Sequence, residues 1–300
     1  MPDSSWLQTE LTQTLLADVV ADIVRRYRID EGAAAAAVRE VFSKSDELHK
    51  ILGRETSPPK VTRTRAFKDA VNAVRRNIYY DLRRYSADVE SQTALIERLS
   101  EAGGAAPGEL QSLVLGLAES HASTRERLKD REAFYGRLLP LLARPRSILD
   151  VGCGMQPLLF PFNDLKDSLE LYVAADKDPA SVAAVAAFAR ASGDRRIVAT
   201  RWDIAEGWPP LIKSCQVKEF DVAFLLKLVP VVERQRPELV DVLRETPGRL
   251  WVLTGSKVSL TKRQDIERRE RSLLRRFYEA SGRRVVDEFS VTEEFCLILE

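Results

Sequence analysis

The stretch Ser147–Leu158, S-I-L-D-V-G-C-G-M-Q-P-L, constrains the fold of this chain more than any other. Ser147 to Val151 is an apolar run carrying one acid, and it stops at Gly152-Cys153-Gly154. A short apolar run bounded by glycines is a buried strand of a parallel sheet. Glycine has no Cβ, so two of them at the carboxyl end of a strand let the main chain turn sharply and come close to a ligand. An acid, Asp150, followed by G-x-G at that place reads as the nucleotide-binding turn of an open α/β sheet. Taken alone, the same glycines could also be an ordinary strand end.

The neighbouring residues narrow the nucleotide. A dinucleotide fingerprint needs a third glycine three residues after the second, and that position is Pro157. The phosphate-cradling G-x-x-x-x-G-K-[ST] loop is absent from the sequence. An acid-x-G-x-G turn without the third glycine resembles motif I of the class I S-adenosylmethionine (SAM) methyltransferases. The fold class expected is therefore α/β, a Rossmann-like doubly wound sheet, preceded by a helical N-terminal domain.

Downstream of the turn, strands and helices alternate as a doubly wound sheet requires. Strands are expected at Leu169–Ala175, Arg196–Trp202, Phe220–Leu226 and Arg249–Thr254, with helices over Pro179–Ala191, Val231–Arg244 and Leu260–Ser281. Arg284–Phe289 and Glu294–Leu299 read as a closing antiparallel hairpin. Asp176 and Asp203 stand at the ends of the second and third strands. An acid after strand two can accept both ribose hydroxyls of a bound nucleoside. One after strand three can accept the adenine amino group. Each acid alone is an ordinary helix cap, but three acids after three successive strands point to a nucleoside cleft.

Upstream, helical spacing of apolar residues runs from the N-terminus to about residue 130. Pro58-Pro59 interrupts it, and Ser123 or Thr124 is placed to cap a helix that runs through Phe134, Leu138 and Leu142. The domains expected are 1–130, helical, and 131–300, nucleotide-binding. The segment 60–85 concentrates cations: Arg63, Arg65, Lys68, Arg75, Arg76, Arg83 and Arg84 stand against only Asp69 and Asp81. The chain as a whole carries a net charge of only +1. A solvated helix face is one reading of this cluster. A phosphate-binding surface for RNA is the other, favoured by the interleaved Tyr79, Tyr80 and Tyr85.

Composition excludes several classes. The two histidines and three scattered cysteines, without C-x-x-C, argue against a metal site and for a reducing compartment. No apolar run approaches the ~20 residues of a membrane span, and no signal-like segment opens the chain. A cytoplasmic, monomeric protein is expected.

Three motifs together carry a family resemblance. S-H-A-S-T-R-E-R-L, L-D-V-G-C-G-M-Q-P-L and F-L-L-K-L-V-P-V-V-E-R-Q, within residues 115–300, resemble the aminoglycoside-resistance 16S rRNA methyltransferases. That resemblance implies SAM as cofactor and methylation of guanine N7 in the decoding region of the small ribosomal subunit. It implies that Arg127 holds the SAM carboxylate and that Asp150, Gly152 and Gly154 form the turn around the methionine moiety. Asp176 would bind ribose, and Asp203 and Ile204 would flank adenine. Lys227, Leu228 and Pro230 would wall the transferable methyl and the target base, with Lys227 the catalytic candidate. After strand five the family carries paired glycines and K-G-M, where this chain reads T-G-S-K-V-S-L-T-K-R over Thr254–Arg263. Lys257 and Arg263 are the counterparts of the rRNA-gripping cations there. Guanine N7 bears a lone pair and no proton, so no general base is needed. A methyltransferase of another RNA or of a small molecule, and a non-catalytic SAM- or RNA-binding homologue, are the alternatives.

Overall fold

Alternating side chains along the strands bury both faces of the central sheet. Ile148, Tyr172, Val222, Phe224 and Ile298 belong to one apolar cluster, and Leu149, Val173, Ala223, Trp251 and Leu297 to another. Strands apolar on both faces are those of a sheet covered by helices on both sides. The computed structural model describes residues 9–27, 29–54, 57–84, 89–103, 106–258 and 265–300.

The chain divides into two compact units, Met1–Tyr85 and Ser86–Glu300. In the first, α1 (Glu10–Tyr27), α2 (Glu31–Ser43), α3 (Asp46–Leu52), α4 (Pro58–Arg63) and α5 (Arg65–Arg84) follow one another. Asp30 caps α2 by accepting from the Ala33 amide, and Ser45 caps α3 through the Leu48 amide. Prolines 58 and 59 occupy the first turn of α4, where an amide hydrogen has no helical partner anyway. Ile23, Val38, Phe42, Leu48, Val61 and Val74 form this unit's own core. The rings of Phe42 and Phe67 meet edge to face at 5.8 Å.

The second unit opens with α6 (Val89–Glu101), α7 (Pro107–Ser120), α8 (Ala122–Leu128) and α9 (Arg131–Leu138). β1 (Ser147–Val151), β2 (Leu171–Asp176), α10 (Pro179–Ser192), β3 (Ile197–Arg201) and α11 (Trp208–Cys215) follow. Then come β4 (Phe220–Leu226), α12 (Val229–Gln235), α13 (Val240–Arg244), β5 (Gly248–Ser256), α14 (Glu267–Ala280), β6 (Val285–Ser290) and β7 (Glu294–Leu299). Among the described residues they build a seven-stranded sheet of order β3-β2-β1-β4-β5-β7-β6. β1 to β5 are mutually parallel, and β7 runs antiparallel between β5 and β6. The strand order reverses between β1 and β4, where a crevice opens beyond the carboxyl ends of the strands.

Three sequence-based boundaries are corrected. The units divide at 85/86 and not at 130/131, because α6 and α7 give Leu99, Leu113 and Leu117 to the core on one face of the sheet. The helix expected over Val231–Arg244 is split by Pro237 into α12, a 3-10 turn and α13, since proline removes an amide donor. The helix expected from Ser123 or Thr124 through Leu142 is broken at Lys129-Asp130. Thr124 lies in the first turn of α8 with its hydroxyl on His121. The expected helix start at Leu260 lies outside the described residues, and α14 begins at Glu267.

Candidate functional site: a nucleoside cleft above a buried ionic cluster

The glycine turn explains its own composition. Gly152 and Gly154 adopt φ values of +62° and +51°, in the left-handed region that disfavours side chains. A Cβ on Gly152 would stand 2.8 Å from Leu228 Cδ1, and one on Gly154 would stand 2.7 Å from His121 Cε1. The three sequence motifs therefore meet at this turn. The Gly152 amide donates to the Ala175 carbonyl at 2.8 Å, tying the turn to the end of β2.

Asp176 caps that end. Its two carboxylate oxygens accept from the amides of Gly154 and Asp178, each at 2.8 Å. Burial raises its pKa, against the lowering effect of those amides. Beside it, Gly152, Asp176, Trp202, Asp203, Ile204, Leu228, Val231, Val232, Gln235, Arg236 and Leu239 line one cleft. Five residues singled out from the sequence thus converge: Gly152, Asp176, Asp203, Ile204 and Leu228. Trp202, which stacks on Trp208 at 4.7 Å, forms an aromatic wall. The sequence reading missed Trp202 and Arg236, because neither sits in a motif or at a strand-end acid.

Two expected ligands are placed differently. Asp203 lines the cleft, but its carboxylate is held by Arg236 Nη1 at 2.9 and 3.1 Å and accepts from the Ala205 amide. Asp150 does not line the cleft. It is buried beneath the turn, where Oδ2 accepts from the Tyr172 hydroxyl at 2.7 Å and Oδ1 has no partner among the described residues. Burial pushes its pKa up to about 7, outweighing the Tyr172 hydrogen bond and the charge of Arg127.

Arg127 and Lys227 belong to a buried cluster of alternating charge. Arg127 Nε and Nη2 form a bidentate pair with the Glu294 carboxylate, and Nη1 donates to Gln156 Oε1. Gln156 Nε2 donates in turn to the Tyr135 hydroxyl. Burial pushes the Glu294 carboxyl up, but Arg127 and Lys227 outweigh it and hold it below its ordinary value. An arginine has five N–H donors, so two are left beyond these three contacts. Lys227 takes a left-handed backbone, φ +56°, and its amide donates to Thr254 Oγ1 at 2.9 Å. The residue is only 8% exposed, and its ammonium sits 2.7 Å from Glu126 and 3.8 Å from Glu294. Lys227, the catalytic candidate of the sequence, thus has its ammonium on two carboxylates, and Leu228, next in sequence, lines the cleft. Glu126, Gln156 and Glu294 went unrecognised in the sequence, where no spacing links them.

These features fit the nucleoside half of SAM. The glycine turn leaves no room for any Cβ, Asp176 offers a buried acceptor at the end of β2, and Trp202 and Ile204 supply apolar walls. Asp150 Oδ1 is a buried acceptor under the turn without a hydrogen-bond partner among the described residues.

The cations are less uniform than the sequence implied. Arg63, Arg65, Lys68 and Arg76 are exposed on α4 and α5. Arg65 pairs with Asp69 at 3.5 Å. Arg75 is half-buried and pairs with Asp22 at 2.9 Å, so it serves this unit's own packing. Arg83 and Arg84 lie in α5, with side chains outside the described residues. Lys257 Nζ donates to the Val291 carbonyl at 3.3 Å, and Arg263 lies outside the described residues. Among the described residues no helix is long and apolar enough to cross a membrane, and no His/Cys/Asp/Glu group is arranged to hold a metal ion.

A sheet of this order, with an acid-capped β2 and a glycine turn after β1, defines the class I SAM-dependent methyltransferase fold. The chain belongs to the FmrO family of ribosomal RNA methyltransferases, whose model matches residues 25–276. It is 33% identical over 155 residues to the 16S rRNA (guanine(1405)-N(7))-methyltransferase of Micromonospora echinospora, covering 50% of this chain and 53% of that protein. It is 31% identical over 147 residues to the enzyme of the same name from Frankia casuarinae, covering 47% of this chain and 49% of that protein. Matched in this way, the chain spans about half the length of these curated relatives. In fold it is similar to the 16S rRNA methylase RmtB, with a TM-score of 0.55 at 20% identity over 95% of this chain and 98% of that one. It is likewise similar to RmtF in complex with S-adenosyl-L-homocysteine, with a TM-score of 0.56 at 24% identity over 98% of this chain and 99% of that one.

Proposed function

We propose that this chain methylates 16S rRNA in the decoding region of the assembled small ribosomal subunit, at guanine N7, with SAM as methyl donor. The observation that carries this reading is the family match over residues 25–276, joined to a cleft whose glycine turn and Asp176 suit a nucleoside. SAM, when bound, supplies a methyl group on a positively charged sulfur. The chain's own part is positional. Asp176 accepts from the ribose hydroxyls, while Trp202 and Ile204 enclose the adenine. The two remaining donors of Arg127 receive the amino-acid carboxylate, and Glu294 fixes the plane of that guanidinium. Leu228 and Pro230 form the wall against which the target base lies. Lys227 acts through its backbone, holding Leu228 in place, and not through its ammonium. Arg63, Arg65, Lys68 and Arg76 contact rRNA phosphates from the N-terminal unit, and Lys257 and Arg263 add further phosphate contacts. The protein works in the cytoplasm as a monomer, and the modification confers resistance to aminoglycosides that bind the decoding site.

Methyl transfer from labelled SAM to intact small subunits, compared with free rRNA and metabolite extracts, tests the reading. The expected result is incorporation into subunits at one guanine, located by chemical cleavage at N7-methylguanine. No incorporation into subunits overturns it. Expression in a susceptible bacterium should raise aminoglycoside tolerance.

A further inference from the structure

α12 has two working faces. Leu228, just before it, and its residues Val231, Val232 and Gln235 line the nucleoside cleft. Arg234 lines a different concavity, a groove of about 780 Å³ whose other wall is α14. From α14, Arg268, Arg269 and Arg276 line the same groove. Arg268, Ser272 and Arg276 are spaced four residues apart, so they form one stripe along the helix. Arg276 Nη1 donates to Ser272 Oγ at 3.2 Å.

The acids beside Arg269 and Arg276 leave much of both side chains exposed. Buried Glu270 and exposed Asp265 also line the groove, and Arg269 Nη2 approaches Glu270 at 3.4 Å while keeping 63% of its side chain exposed. Arg276 Nη2 lies 3.6 Å from Glu233 and keeps 64% of its side chain exposed. Both contacts are long for a charge-assisted hydrogen bond. Arg268 is exposed and makes no ion pair among the described residues.

We propose that the α12–α14 groove grips the phosphodiester backbone of rRNA beside the nucleotide that enters the cleft, an inference that rests on the function proposed above. Planar guanidinium groups bind phosphate oxygens in pairs and stack on exposed bases, and here four of them converge from two helices. The groove's volume suits a nucleotide-sized segment. A concave space between helices follows a nucleic-acid strand but not a flat membrane. One short helix, about 10 Å across with its side chains, separates the groove from the cleft. A strand seated in the groove therefore holds its neighbouring nucleotides close to the cofactor. Because phosphate contacts set register and carry no base identity, the groove contributes positioning and not sequence choice.

The test uses the full-length Arg268→Ala/Arg276→Ala double variant, with Arg268→Lys/Arg276→Lys as its charge-conserving partner. Binding to purified small subunits is measured over a range of salt, and SAM affinity is measured by calorimetry. The Ala variant should bind subunits at least tenfold more weakly, with the log–log salt slope reduced by about 1.4–1.8 for two lost phosphate contacts. SAM affinity and melting temperature should match the wild type, and the Lys variant should recover most of the salt slope. A folded Ala variant with unchanged affinity and slope overturns the groove. Competition by poly-glutamate equal, charge for charge, to that by a 16S rRNA fragment overturns the choice of RNA as occupant. A wild-type protein that neither binds nor methylates subunits overturns the functional reading itself. A wild type that does both, alongside a variant that does so equally well, overturns only the groove.

Discussion

Asp176 binds two main-chain amides before any ligand arrives, so its carboxylate is already aimed when a ribose enters. Removing a charge-assisted acceptor of this kind costs about 1.5–3 kcal/mol. Asp176→Ala should therefore weaken SAM binding roughly ten- to hundredfold by calorimetry, and Asp176→Asn, which keeps one acceptor oxygen, less. Unchanged affinity would reduce Asp176 to a turn residue. Asp150 shows the opposite economy, a buried acid whose pKa is raised from 3.8 to about 7. In the unfolded chain it ionises near its ordinary value, so between there and pH 7 the folded state holds the extra proton. The native state accordingly loses about 1.4 kcal/mol per pH unit across that window. Asp150→Asn has no such loss. Its unfolding free energy relative to wild type should rise by about 2–3 kcal/mol from pH 5 to pH 7 and then level off, as denaturant titrations at each pH would measure. Glu294 has a depressed pKa, so its contribution is present above the ordinary carboxylate value and lost as pH falls. Glu294→Gln leaves Arg127 buried without its bidentate partner, a change that costs about 3–5 kcal/mol for such pairs. Urea unfolding at pH 7 should show that loss, and the gap to wild type should narrow toward pH 3.

At the level of elements, the turn after β1 is the least tolerant place in the fold. Gly154→Ala must put a Cβ against the His121 ring in a backbone conformation, φ +51°, that costs L-residues about 1–2 kcal/mol. SAM affinity should fall with little change in the secondary structure seen by circular dichroism. Retained affinity would show that the turn relaxes. This turn was readable from the sequence because its information is local: an apolar run, two glycines and an acid in consecutive positions. The strands were readable for the same reason. The ends of helices were not, where a proline or a tertiary contact decided them. Pro237 splits α12 from α13, and the chain breaks between α8 and α9 at Lys129-Asp130, where Asp130 accepts from Thr292 of the β6–β7 turn.

The two units each carry a separate apolar core. The polypeptide 86–300, which contains the whole cleft and the ionic cluster, should fold and bind SAM with the affinity of the full chain. It should lose most of its affinity for small subunits, because Arg63, Arg65, Lys68 and Arg76 are gone. Calorimetry and subunit co-sedimentation measure the two properties separately. Weak SAM binding by a folded 86–300 would mean that the N-terminal unit supports the cofactor site. By itself the sequence determined the period of each strand, the glycine turn, the acids at the carboxyl ends of β1, β2 and β3 and the class of fold they belong to. All of these are set by residues within a few positions of one another. Only the tertiary structure decided which charges answer each other. Arg127 meets Glu294, Lys227 meets Glu126, and Asp203 meets Arg236 across separations that no local pattern encodes. An arginine's sequence position says that it is charged. Whether that charge is offered to a ligand or spent on a buried partner depends on which distant carboxylate the fold brings within about 3 Å.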